Sequence, residues 1–398
     1  MTLTKRKYYF DKIKPFIGKE LIKVITGQRR TGKSYFLRQI KDEIENEGNN
    51  LDIVYINKEN INFDFIKDYK DLVQFAESKK EPDLHAVLMI DEVQEIIHFE
   101  KALRHLLASG KWDIYVTGSN SNLLSGELAT LISGRYINIE MFPLAYDEFL
   151  IFHKLQEDNK SFAKYLKFGG MPYLKNLPLN DEIVFEYLQN ITSTILYKDV
   201  VARYSVRDIA FLENLTHFIA NNIGNLVSAK RISDYLKSQK LRFNHNTVME
   251  YLHHLSDAFL IHKTRRYDIK GKRLLEIGEK NYFNDLGIRN SITGYHQQDI
   301  SQMLENVVYI HLKRKYNEVF VGKLRDKEVD FICHTSQKKI YIQVTLSLAD
   351  EKVKNREIGN LLAIKENYQK IIVTADELTP KHIQGVEIYN IRKFLMNF

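Results

Sequence analysis

Residues 27–34 read GQRRTGKS, and the positions of Gly27, Gly32, Lys33 and Ser34 are those of a phosphate-binding loop. The chemistry follows from the residue types. Glycines let the backbone curl until successive N–H groups face inward, forming an anion nest at the positive end of a helix. In such a loop Gly27, Gln28, Arg29, Arg30, Thr31, Gly32 and Tyr35 surround a polyphosphate. Lys33 reaches the β- and γ-phosphates, and the Ser34 hydroxyl is a ligand for Mg²⁺. Phosphoryl chemistry also needs acids. Asp91 and Glu92 end the apolar run VLMI, where the first carboxylate supports the metal through water and the second polarises an attacking water. Ser119 or Asn120, in TGSN, would sit near a γ-phosphate as a polar sensor, and either suits a turn capping the next helix equally well. Arg135 follows Gly134 and could reach a γ-phosphate in its own subunit or in a neighbour's. A solvated arginine at a helix end is the alternative.

These residues need a scaffold that brings them to one place. Apolar runs at 21–25, 51–56, 84–90, 112–117 and 136–141 read as strands, and the patterns at 35–45, 64–78, 99–108 and 123–132 as helices. Strand alternating with helix predicts a parallel sheet covered on both faces, with ligands beyond the carboxyl ends of the strands. Each candidate group falls at such an end or beside one.

Composition narrows the setting. The chain has 398 residues, 44% hydrophobic and 27% charged, enough for two or three domains with their own cores. The single cysteine, Cys333, excludes an intramolecular disulfide framework and a multi-cysteine zinc site, and suits a reducing cytoplasm. The N-terminal stretch lacks the apolar core of a signal peptide, and no run of eighteen apolar residues occurs. The expectation is a soluble cytoplasmic protein with no membrane partner.

The net charge is +7 and the pI about 9.0. Between Ser228 and Arg273 stand eleven Lys or Arg residues and four acids, a difference of seven, equal to that of the whole chain. Helical patterns at 208–221, 229–238 and 246–256 precede two apolar stretches around Leu260 and Leu274, which flank the charged turn 268–272. Three helices and a hairpin read as a winged helix-turn-helix. Asn244, His245, Asn246 and Thr247 would then enter a major groove while Arg265, Arg266, Lys270, Lys272 and Arg273 contact phosphates, making DNA the expected partner of residues 228–273. A protein-contact module with a solvated basic face is the other reading. Helical patterns at 146–205, broken by Gly169 and Gly170, suggest a small lid over the nucleotide.

Taken together, GQRRTGKS, VLMIDE, TGSN and SGRY over residues 20–150 resemble an AAA+-type P-loop ATPase. FPLAYDEF at 142–149, FGGMPYL at 168–174 and YFNDLGIRN at 282–290 extend the resemblance to prokaryotic ATPases of the archaeal-ATPase type. It implies an α/β fold: a P-loop NTPase core (1–145), a helical lid (146–205), a winged helix-turn-helix (206–295) and a restriction-endonuclease-like α/β domain of the PD-(D/E)XK kind (296–398). It implies ATP and Mg²⁺ as cofactors, ATP hydrolysis, and compatibility with a homo-oligomer. It also places Glu305, Asp330, Gln343 and Thr345 where active nucleases of that kind have Glu, Asp, Glu and Lys. Cleavage needs carboxylates around a hard cation and a lysine. The last two departures therefore predict a domain that does not cleave. A nucleotide-dependent switch and an ATP-dependent nuclease are the competing functional readings.

Overall fold

Every residue of β1 (Ile22–Thr26) is buried, as a central strand must be when helices cover both faces of a parallel sheet. The computed structural model describes residues 4–46, 51–81, 84–124, 132, 134–227, 230, 232–234, 245–335 and 338–398. The helices expected over 123–132 and 229–238 fall largely outside the described residues, and Ser133, Arg231, Lys237, Lys240, Arg242 and Asn244 fall wholly outside. The chain divides into two compact units, one of residues 1–142 with 257–259, the other of residues 143–256 with 260–398.

In the first unit β1 joins β2 (Asp52–Asn57), β3 (Ala86–Asp91), β4 (Trp112–Gly118) and β5 (Tyr136–Glu140) in a five-stranded sheet of order β2-β3-β4-β1-β5. All pairings are parallel. Successive side chains point to opposite faces, so each strand feeds two cores. Ile25, Val87, Met89 and Tyr115 pack with Tyr9 and Phe10 of α1 (Lys7–Ile13) and Phe36, Leu37 and Ile40 of α2 (Lys33–Asn46). Val24, Leu88, Ile90, Ile114 and Val116 pack on the other side with Leu72 of α3 (Tyr69–Ser78) and Leu103 and Leu106 of α4 (Phe99–Ala108). Each such aliphatic side chain contributes about 1.5–3 kcal/mol on burial. Lys23 breaks the apolar run without opening the core, because its ammonium bonds Asp113 and, at 2.5 Å, the Lys19 carbonyl.

The second unit starts with α5 (Tyr146–His153), α6 (Asn159–Phe168), α7 (Asp181–Thr194) and α8 (Ile209–Asn221), and continues with α9 (His245–Asp257). β6 (Leu226–Val227) and the hairpin β7 (Ile261–Asp268) and β8 (Arg273–Phe283) follow, then α10 (Leu286–Thr293) and α11 (Ile300–Lys315). β9 (Glu318–Leu324), β10 (Lys327–His334), β11 (Lys339–Thr345), α12 (Glu351–Leu362), β12 (Gln369–Thr374), β13 (His382–Ile383), β14 (Val386–Asn390) and α13 (Ile391–Asn397) complete it. Its strands form one nine-stranded sheet, β13-β14-β12-β11-β10-β9-β7-β8-β6. The hairpin expected to act as a wing is thus continuous with the C-terminal strands, β7 running parallel to β9 at Arg266↔Val321 and Asp268↔Lys323. The division expected near residue 295 lies inside this single compact unit. The shared stretches FGGMPYL and YFNDLGIRN meet here: Asp285 caps α10 through Ile288 N at 2.9 Å and accepts Gly170 N at 2.7 Å.

Candidate functional site

The strand order puts the carboxyl ends of β3, β4 and β1 side by side, since β4 pairs with β1 on one edge and β3 on the other. The 27–32 loop leaves β1 there, Ser119 and Asn120 leave β4, and Asp91 and Glu92 leave β3. Two glycines shape the loop. Gly27 holds φ at +144°, and a Cβ on it would lie 2.2 Å from the Met141 carbonyl oxygen. Gly32 has φ +96° with nothing within 4 Å of where a Cβ would be, so conformation alone calls for glycine there. The open space lies at the start of α2, where the helix dipole is positive.

Lys33 is buried and its ammonium donates to the carbonyls of Gly27 at 2.9 Å and Gln28 at 3.1 Å, 3.9 Å from Glu92 Oε1. Thr31 and Gln28 are buried, Ser34 and Arg29 half-buried, and Arg30 and Tyr35 exposed. Two groups that the sequence reading passed over hold the frame. Arg6 Nη1 donates to Thr31 O at 3.1 Å and to Phe142 O at 2.8 Å. Thr117 Oγ1 donates to Asp91 Oδ1 at 2.5 Å and accepts the Glu92 N–H at 3.0 Å. Nothing in the local sequence marks Arg6. Thr117 stood in the TGSN motif without a role.

The two acids are tuned in opposite directions. Burial pushes the Asp91 carboxyl above the usual range, against the hydrogen bonds from Thr117 and Ser34. Burial also penalises ionised Glu92, but the charges of Lys33 and Arg29 and the hydrogen bonds from Gln94 and Ser119 carry it below the usual range. Glu92 is therefore an anion at neutral pH with an acceptor oxygen near Lys33. Its backbone is left-handed, φ +58°, a strained conformation of the sort that collects at working sites.

Arg135 stands elsewhere. Its carbonyl accepts the Ile22 N–H at 3.0 Å, level with the amino end of β1. At about 3.3 Å per residue the loop at the other end of β1 is roughly 15 Å away, beyond the reach of one side chain. Of the readings open from sequence, this removes contact with its own subunit's loop and leaves a neighbour's loop or the solvated helix-end arginine, and the side chain is exposed. Asn120, buried beside the acidic strand, is on the loop's side of the sheet.

The donor set suits the expected cofactors. The Ser34 hydroxyl and Asp91 carboxylate are hard oxygens of the type Mg²⁺ takes, and the Lys33 ammonium with the open helix start suits a polyphosphate.

In the second unit, Glu305 on α11 and Asp330 and Gln343 on neighbouring strands come together. Asp330 Oδ2 accepts Val344 N at 2.8 Å, and its own N–H donates to Gln343 Oε1 at 3.3 Å. Thr345 donates to Ser347 O at 3.3 Å. A cation enters this cluster from β8: Lys280, buried, lies 2.9 Å from Glu305 and 2.7 Å from Glu328. Tyr282 donates to Glu305 at 2.6 Å. Burial and the Glu305 charge raise the Asp330 carboxyl well above its usual range, with Lys280 opposing. Lys280 is held above the usual lysine range because Glu305, Asp330 and Glu328 outweigh its burial. Among the described residues no group of three or more His, Cys, Asp or Glu side chains could hold a metal ion.

Of the residues expected at DNA, Asn246 is exposed and Thr247 half-buried in the first turn of α9. Arg265, Lys270, Lys272 and Arg273 are exposed and Arg266 is half-buried.

A parallel five-stranded sheet with a phosphate loop after β1, an interior strand, defines an AAA+-type P-loop ATPase core, and the comparisons agree. Residues 19–150 match the AAA domain, and residues 159–299 match a domain of unknown function (DUF8612). The chain is 35% identical to an uncharacterized protein of Haemophilus influenzae over 401 residues, covering 98% of each. It is 34% identical to the uncharacterized protein MJ1544 of Methanocaldococcus jannaschii over 358 residues, covering 85% of this chain and 77% of that one. The chain belongs to the family of these two uncharacterized proteins. Its fold is similar to that of a Walker-type ATPase of Pyrococcus abyssi, with a TM-score of 0.51 and 14% identity over 73% of this chain and 96% of the other. No helix among the described residues is long and apolar enough to cross a membrane.

Proposed function

We propose that the chain binds ATP with Mg²⁺ at the 27–34 loop, hydrolyses it, and couples nucleotide state to DNA binding through a winged helix within residues 206–295. The observation that carries the reading is the meeting of Lys33, Asp91 and Glu92 beyond the carboxyl ends of β1 and β3, on either side of β4, with Glu92 ionised 3.9 Å from the lysine. Lys33 leaves the loop carbonyls for the β- and γ-phosphates, Ser34 and Asp91 hold the metal, and Thr117 fixes the Asp91 carboxylate. Magnesium neutralises phosphate charge when bound. Glu92 accepts a hydrogen bond from the attacking water, and Ser119 and Asn120 border the γ-phosphate. Residues 146–205 form a lid, and the C-terminal nuclease-like part does not cleave. The setting is cytoplasmic.

The position of Arg135 favours one variation. An arginine that cannot reach its own loop serves a neighbour's, so a single chain turns over slowly and behaves as a nucleotide-dependent switch until copies assemble. The test is the ATPase rate of purified protein with and without duplex DNA, measured together with its mass in solution. DNA stimulation of a Glu92-dependent rate supports coupling, and a rate indifferent to DNA leaves the switch reading in its place.

A further inference from the structure

The parallel pairing of β7 with β9 has a geometric result that neither hairpin shows alone. Parallel strands end at the same edge, so the β7–β8 turn at 269–272 and the β9–β10 turn at 325–326 lie at one end of the sheet. Ile269 N donates to Lys323 O at 2.9 Å and locks the two tips in register. Lys270, Lys272 and Arg273 are exposed on the first tip, and Arg325 and Lys327 on the second, with Lys323 half-buried between them. Among the described residues none of these six has a carboxylate within salt-bridge distance. The local acids are engaged: Glu328 by Lys280 at 2.7 Å, Asp268 as acceptor of Lys270 N at 3.1 Å, and Glu366, near Lys272, by Lys339 at 3.4 Å. Only Asp326 is an exposed acid at the tips.

Four adjacent strands, β8-β7-β9-β10, carry this row. At about 4.8 Å between neighbours it is roughly 14 Å across, against B-DNA grooves about 6 and 12 Å wide. Lysines and arginines on a rim of that width suit phosphates on both sides of a groove. We infer that the β9–β10 tip, Lys323, Arg325 and Lys327, is a second phosphate-contacting element for duplex DNA, continuous with the β7–β8 tip, so that the C-terminal part binds the same duplex. The inference rests on the DNA-binding reading above and extends it to residues beyond 228–273.

The experiment is a duplex DNA titration between about 50 and 200 mM salt. It uses the full chain, a Lys323→Gln/Arg325→Gln/Lys327→Gln variant, a Lys270→Gln/Lys272→Gln/Arg273→Gln variant, and the single Arg325→Gln, each checked by circular dichroism. Each phosphate contact adds about 0.9 to the slope of log affinity against log salt. Both triple variants should bind several-fold more weakly and flatten that slope by roughly 2–3, and Arg325→Gln by about 1. Loss confined to the β7–β8 variant overturns the inference and leaves DNA binding intact. Absence of DNA binding by the unaltered chain overturns both. Weakening without a change of slope overturns the phosphate assignment.

Discussion

Replacing Lys280 by methionine keeps most of the side chain's volume and removes its charge from between two carboxylates at 2.9 and 2.7 Å. At an effective dielectric constant of about 20 each contact is worth roughly 6 kcal/mol of Coulomb attraction before desolvation is subtracted. The ammonium is almost fully buried, so its own desolvation offsets much of that gain. What the substitution exposes is the imbalance left behind, because Glu305, 16% exposed, and Glu328, 32% exposed, then face Asp330 without the ammonium that paired with both. Breaking a buried pair from one side typically costs about 3–5 kcal/mol. The lower end is expected here, since Glu328 reaches solvent and Tyr282 still donates to Glu305. A loss of about 3 kcal/mol lowers Tm by roughly 6–12 °C, readable by circular dichroism. The sign with pH is fixed as well. Lys280 holds down the already raised pKa of Asp330, so its removal raises that pKa further, and the variant regains stability relative to the parent as pH falls. Adding Glu305→Gln should recover part of the loss. A variant melting within about 1 °C of the parent at neutral pH would refute the internal counter-ion.

Two further substitutions separate the loop's requirements from the general fold. Gly27→Ala drives a Cβ to 2.2 Å from a backbone oxygen and should cost more than about 2 kcal/mol and abolish nucleotide binding. Gly32→Ala meets open space and should cost only about 1–2 kcal/mol of left-handed strain in a melt. Equal losses from the two would contradict the close approach at Gly27. His262 tests acid stability: buried beside Asn284, its folded pKa is pushed down to about 4, chiefly by burial. The unfolded chain protonates first, so stability is intact above about pH 6.5 and falls by about 3 kcal/mol by pH 4. Asp285, pushed up to about 6 by burial, works in the opposite sense. The comparison is therefore between parent and His262→Gln melts, where a variant with an equally steep acid limb counts against the assignment.

The parts of the site that could be read from sequence are those whose requirement is local. The GQRRTGKS loop carries its need for glycine, lysine and hydroxyl in consecutive positions, and VLMIDE joins a buried strand to its acids. Alternation of strand and helix likewise gave the doubly covered sheet. Thr117 as the partner of Asp91 needs the neighbouring of β3 and β4, which depends on strand order. Arg135 directly precedes β5, which in a parallel sheet already marks the amino end, and its pairing level with Ile22 fixes how far that is from the loop. Lys280 enters a carboxylate cluster from a hairpin that spacing assigned to another domain, and only the continuous nine-stranded sheet unites them. Long-range pairing decided each of these, and a single sequence does not display it.

The central claim is that the loop holds a nucleotide through Lys33. Calorimetric titration of ATP with Mg²⁺ into the parent and into Lys33→Ala, with circular dichroism to show that the fold persists, tests it most directly. Saturable binding by the parent that Lys33→Ala loses is the expected result. Unchanged affinity in a folded Lys33→Ala protein would contradict the account.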